Sequence, residues 1–134
     1  LHSCVPMTED GKLQSFTISG TELSGKAFMD YADKTARQAY YHKRGTPERE
    51  FGMDFLWWLW AGRNSPIFGR DRMATFERRF IDNEVAQAEP KNPYYTYYQD
   101  PEVCDMLLKE FGLAGPHCHI INGHVPVKAK KGER

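Results

Sequence analysis

Histidines near the two ends of this chain carry its most suggestive chemistry. His119-Ile120-Ile121-Asn122-Gly123-His124-Val125-Pro126 reads as a buried strand ended by an Asn-Gly turn, with His124 placed at that turn. In open α/β sheets the carboxyl ends of strands are where ligands bind. An imidazole there can hold a metal, shuttle a proton or meet a phosphate. At the other end, His2 stands beside Ser3-Cys4-Val5-Pro6, which reads as a strand end entering a loop. If the two strands are neighbours, His2 and His124 line one site. His117 and His119 form an H-x-H pair that would share a strand face, yet no carboxylate or cysteine motif accompanies them. They read as strand-entry residues, and His42 as a helix-end residue suited to the dipole.

A second set of groups is suited to anions. Arg63-Asn64-Ser65 forms a loop, and Arg70, Arg72, Arg78 and Arg79 follow it. The forked guanidinium donors match phosphate geometry, so Arg63, Asn64, Arg70 and Arg72 are the candidate substrate-binding residues. The plain alternative is surface charge balanced by Asp71, Glu77 and Asp82. Trp57, Trp58 and Trp60 read as core of a buried helix, whereas Tyr94, Tyr95, Tyr97 and Tyr98 leave core packing and ligand stacking both open.

The elements that must position these groups follow from periodicity and punctuation. Leu13–Ile18 alternates like a short strand, and Ser19-Gly20-Thr21 breaks it. Ser24 is placed to cap a helix to about His42, with Phe28, Tyr31, Ala32, Thr35, Ala36, Ala39 and Tyr40 on one apolar stripe. Gly45 ends it, and Thr46-Pro47 starts a helix that is apolar nearly all round from Phe51 to Trp60. Such a helix needs cover on several sides, part of it from sequence beyond this chain. A short helix is expected over Met73–Ile81 and an irregular connection over Glu84–Thr96. Asp100-Pro101 caps a last helix whose buried face is Cys104, Leu107, Leu108 and Phe111, with Gly112 as its stop.

Composition narrows the function classes. The chain has 134 residues, enough for one modest core, and both ends read as cut, which points to a piece of a longer protein. Eighteen basic and eighteen acidic residues cancel, leaving no global field for nucleic acid. The longest apolar run, Phe55–Ala61, is far too short to span a membrane. Three widely spaced cysteines without a CxxC pair speak against a disulfide framework or structural zinc, and for a reduced, cytoplasmic setting.

Three strings together resemble a known family. These are residues 2–7 (HSCVPM), 54–78 (DFLWWLWAGRNSPIFGRDRMATFER) and 119–127 (HIINGHVPV). The chain resembles the C-terminal part of class 3 fructose-1,6-bisphosphatase, the bacterial type, and through it the calcineurin-like metallophosphatases. The resemblance implies an α/β or α+β fold in which residues 1–134 are the C-terminal portion of a single catalytic domain, a four-layer β-sandwich flanked by helices. It implies hydrolysis of the 1-phosphate of fructose 1,6-bisphosphate, in gluconeogenesis, at a dinuclear centre with manganese as the expected metal and other divalent ions as alternatives. It places His2 and His124 among the metal ligands. The remaining ligands and the general acid belong to Asp-x-His, Gly-Asp-x-x-Asp-Arg and Gly-Asn-His strings that this sequence lacks. No catalytic residue is therefore assigned here, and these 134 residues alone are expected to be inactive. The expected partner is a sugar bisphosphate, with neither nucleic acid nor membrane, and self-association is compatible. The rival readings are a non-catalytic binding or regulatory module on the same scaffold, and a protein Ser/Thr phosphatase.

Overall fold

Ser19 and Gly20 both adopt positive φ (50° and 79°), the geometry of a tight hairpin turn whose twist suits antiparallel strands. In the computed structural model, which describes residues 3–123, they join β1 (Phe16–Ile18) to β2 (Thr21–Leu23), with Phe16 opposite Leu23 and Ile18 opposite Thr21. The expected break after Ile18 is thus a reversal.

Two long helices follow: α1 (Gly25–Tyr41) and α2 (Pro47–Ala61). The apolar stripe of α1 buries Phe28, Ala32, Thr35 and Ala39 as its spacing predicts, but Tyr40, in the last turn of the helix, is exposed. Ser24 makes no side-chain cap. Instead Glu110 Oε1, distant in sequence, accepts the Lys26 N–H at 2.8 Å and supplies the anion that suits a helix N-terminus. The helices meet where Gly52 faces Ala39. A Cβ on Gly52 would lie 2.7 Å from the Ala39 backbone nitrogen, so only hydrogen fits there. Phe16 stacks on Phe28 at 4.0 Å between ring centroids, and Trp58 meets both rings edge-on.

The expectation of a buried tryptophan helix needs correction. Only Gly52 and Leu59 of α2 are buried, while Phe51, Leu56, Trp57 and Trp60 are exposed. One face has β1 and α1 to cover it, and the described residues hold no third layer for the others.

Three one-turn helices, α3 (Glu77–Phe80), α4 (Glu84–Gln87) and α5 (Tyr94–Tyr97), lie along the connection that the sequence suggests is a helix followed by coil. Around α3 and α4 the chain pairs with itself: Asp71 N–H donates to Pro90 O at 2.8 Å and Asn92 N–H to Gly69 O at 2.9 Å. The last helix, α6 (Pro101–Glu110), is capped by Asp100, whose side chain accepts from the N–H groups of Glu102 and Val103. Leu107 is buried, with Cys104, Leu108 and Phe111 half-buried beside it.

The strand expected over 119–122 is absent. His119 to Asn122 carries no strand assignment, Gly123 forms an isolated bridge, and the sheet among the described residues is the β1–β2 hairpin. Ser3–Pro6 is likewise irregular, and Met7 makes one bridge to Leu13. The described residues therefore form a small mixed α/β unit, with a core of Cys4, Val5, Met7, Tyr94 and Leu107.

Candidate functional site

Loops rather than strands organise the candidate site. Segment 62–71 comes off the C-terminus of α2 and is folded onto itself by Ser65. That fully buried hydroxyl donates to Leu59 O and accepts the N–H groups of Ile67 at 3.2 Å and Phe68 at 3.3 Å. The turn thus shaped offers Pro66 O to Cys4 N–H at 3.1 Å, which docks the 3–7 segment on this loop. Gly69, at φ +62°, lies against Ser3 and Tyr95. A Cβ there would sit 2.6 Å from Ser3 Oγ and 2.9 Å from Tyr95 Oη, so the contact requires glycine.

The connection before α6 supplies the rest. Asn92, 4% exposed, accepts two backbone N–H groups at its Oδ1, from Met7 at 3.1 Å and Tyr94 at 3.0 Å. Its Nδ2 is buried without a hydrogen-bond partner among the described residues. Tyr94 donates its hydroxyl to Asn122 Oδ1 at 2.6 Å, and Tyr95 shares a 2.8 Å hydrogen bond with Ser3 Oγ. Burial pushes the Tyr94 phenol up to about 12, against the lowering effect of its bond to Asn122, and raises Tyr95 as well. Burial also pushes the Cys4 thiol up to about 12, which keeps it protonated and unreactive at neutral pH.

The candidate phosphate ligands are all present, and each arginine already has a carboxylate. Arg63 Nε meets Asp71 Oδ1, and Arg72 Nε lies 3.5 Å from Asp71 Oδ2. Arg70 Nη1 meets Glu89 Oε2, which Arg78 Nη2 also approaches at 3.4 Å. Glu89 is half-buried, its side chain 8% exposed, and its other oxygen accepts Ala74 N–H at 2.9 Å. That backbone bond, then the Arg78 and Arg70 charges, hold the Glu89 carboxyl below its usual range against the opposing effect of burial. Asn64 takes a left-handed turn, φ 59°, between Arg63 and Ser65. The structure therefore gathers Arg63, Arg70 and Arg72 around two carboxylates, and a phosphate would have to share or displace them.

His2 and His124 lie outside the described residues. Ser3, next to His2, and Asn122, two residues before His124, are hydrogen-bonded to adjacent tyrosines. Among the described residues no three His, Cys, Asp or Glu side chains come together as a metal site, so further ligands would have to come from elsewhere. His117 and His119 are exposed, and His119 lines an apolar cavity of about 300 Å³ between Val5, α6 and Ile120-Ile121. No helix among the described residues is long and apolar enough to cross a membrane.

Sequence reading missed Glu89, Asn92 and the pairing of Tyr94 with Tyr95. The one available signal was Asn92-Pro93, a turn-forming pair placed directly before the aromatic cluster.

Comparison with known proteins adds the rest. A family model described as Firmicute fructose-1,6-bisphosphatase matches residues 1–134. The class 3 fructose-1,6-bisphosphatase of Clostridium botulinum strain Hall is 47% identical over 132 residues, a match that spans 98% of this chain and 20% of that protein. The protein of the same description from C. botulinum strain Alaska E43 is 48% identical over 132 residues, with the same coverage. This chain thus spans about a fifth of the length of the curated relatives it matches. No solved structure matches it.

Proposed function

The chain belongs to the Firmicute fructose-1,6-bisphosphatase family, and from that premise we propose that it forms part of a class 3 enzyme that hydrolyses the 1-phosphate of fructose 1,6-bisphosphate. The identity to such enzymes over nearly the whole chain carries this reading. The finer proposals are a calcineurin-like β-sandwich completed by sequence beyond these residues, a dinuclear manganese centre, a place in gluconeogenesis and a cytoplasmic setting.

In this reading His2 and His124 are ligands contributed by the two ends of the chain. When bound, the ions supply neutralisation of phosphate charge and an acidified water. Everything else follows from the chain's own groups. Arg63, Arg70 and Arg72 surround the substrate's phosphate, each guanidinium retaining donors beyond the one held by Asp71 or Glu89. Those carboxylates set the direction of the free donors, so each arginine meets the phosphate already oriented. Asn64 adds a neutral amide at the head of the same loop.

The test is steady-state kinetics on a chain of the relatives' full length that carries this segment. Manganese-dependent phosphate release from fructose 1,6-bisphosphate is expected. His124→Ala should collapse kcat, while Arg63→Ala or Arg70→Ala should each cost about 10²–10³ in rate, the usual effect of losing one charge-stabilising donor. Binding of the sugar bisphosphate without turnover would favour the non-catalytic module, and preference for a phosphoserine peptide would favour a protein phosphatase. Full activity and metal content in His124→Ala would end the ligand assignment.

A further inference from the structure

We propose that the outer face of α2 is the surface on which the remainder of the full-length polypeptide docks; this rests on the reading above that the chain is part of a longer enzyme. The helix carries two apolar stripes. On the inner one Gly52 lies on Ala39, Phe55 meets Tyr31 edge-on, and Leu59 is buried one turn further along. The outer one is Met53, Leu56, Trp57 and Trp60, at the i, i+3, i+4, i+7 spacing of a single helix face. All four are exposed, and the rings of Trp57 and Trp60 lie 5.1 Å apart between centroids. The stripe is therefore one continuous apolar surface, with no charged side chain within it. Helices apolar on two sides are built to lie between two layers, and the described residues provide only the inner one.

Three observations choose the occupant. First, the chain spans 20% of the length of the relatives it matches, so about four-fifths of such a polypeptide is available to supply the second layer. Second, the stripe is small. Two partly covered tryptophans and two half-exposed aliphatic chains offer roughly 400–500 Å², against about 800 Å² per partner in a stable complex of separate molecules. A contact within one polypeptide holds on less area, because its effective concentration is already high. Third, Glu50 and Asp54, one turn apart and exposed, run along one edge of the stripe, and neither has an ion pair among the described residues. The docking surface is accordingly apolar at its centre, with basic side chains where it meets that edge.

The test uses a chain of the relatives' full length that carries this segment. Hydroxyl-radical oxidation, read by mass spectrometry, should modify Met53, Trp57 and Trp60 many-fold more slowly in the folded protein than in the unfolded one. Reactivity close to the unfolded level would overturn the proposal. A photoreactive benzoylphenylalanine in place of Trp57 then identifies the cover, with heavy-isotope and normal copies mixed before illumination. Cross-links are expected within single polypeptides, to residues outside these 134. Cross-links between copies, cross-links confined to these 134 residues, or none at all would each overturn it. Phosphate release from fructose 1,6-bisphosphate by the same preparation separates the two levels of the argument. Turnover with a fully reactive stripe leaves the enzyme reading standing and the docking face refuted. A protected, internally cross-linked stripe without turnover does the reverse.

Discussion

The α1–α2 hairpin and the loop junction around Asn92 are held by opposite kinds of contact. The hairpin is an apolar device in which Gly52 lies flat on Ala39 and Phe16, Phe28 and Trp58 interlock. The junction is a polar one. Of the buried polar residues Ser3, Thr35, Ser65 and Asn92, three belong to it, and each bonds a group from another part of the chain or fixes a turn. Apolar packing tolerates change of chemistry but not of volume, whereas a buried hydrogen-bond hub tolerates neither. Of the candidate ligands, the described ones, Arg63, Asn64, Arg70 and Arg72, belong to the loop that leads from α2 into the second region.

The largest effect that would sharpen this contrast is expected from Asn92→Ala. It leaves the N–H groups of Met7 and Tyr94 buried without their acceptor, at about 1–3 kcal/mol for each orphaned donor. Chemical denaturation would read the loss, and a change below about 1 kcal/mol would mean that the hub is not what holds the junction. Next comes Gly52→Ala in the hairpin. The added Cβ must push α1 from α2, an overpacking cost of about 1–3 kcal/mol, and Gly52→Leu should cost more. Equal stability of Gly52→Ala and the unaltered chain would refute the close helix contact.

A third test addresses charge. Because the Glu89 carboxyl lies below its ordinary 4.5 in the folded protein, its contribution is full above that pH and drains away as pH falls toward the folded value. Glu89→Gln should remove that acid-side loss and flatten stability against pH below about 4.5, measured by melting temperature across an acid series. An unchanged acid slope would show that Glu89 does not anchor Arg70 and Arg78. The smallest effect is expected at Trp57, 69% exposed on the outer face of α2. Trp57→Gln should alter the stability of these 134 residues alone by no more than about 0.5 kcal/mol. A larger loss would mean that the face is already covered within them.

How much of this the sequence disclosed follows the same division. The helices were legible because period, proline starts and glycine stops are local signals, as at Thr46-Pro47 and Asp100-Pro101. The cap of α1 was not, because Glu110 reaches it from the far end of α6. The apolar run His119–Asn122 carried the right residues for a strand, but strand formation depends on a neighbour, and pattern alone does not supply one. The arginines were legible as anion ligands and their partners were not: Glu89 stands nineteen positions from Arg70, with two short helices between. The tyrosine cluster left its role open until Ser3 and Asn122 were found against it.

The same adjacency of Ser3 and Asn122 at neighbouring tyrosines has a consequence for ancestry. Both are held by residues of the chain between them, Tyr94 and Tyr95, so the parts of that chain lying away from this junction are excursions from it. Turns of that kind can lengthen or shorten without changing the distance between Ser3 and Asn122. Within the family, variation in length should therefore gather in the outer turns near Gly45 and 81–88, while the residues at the junction hold their spacing.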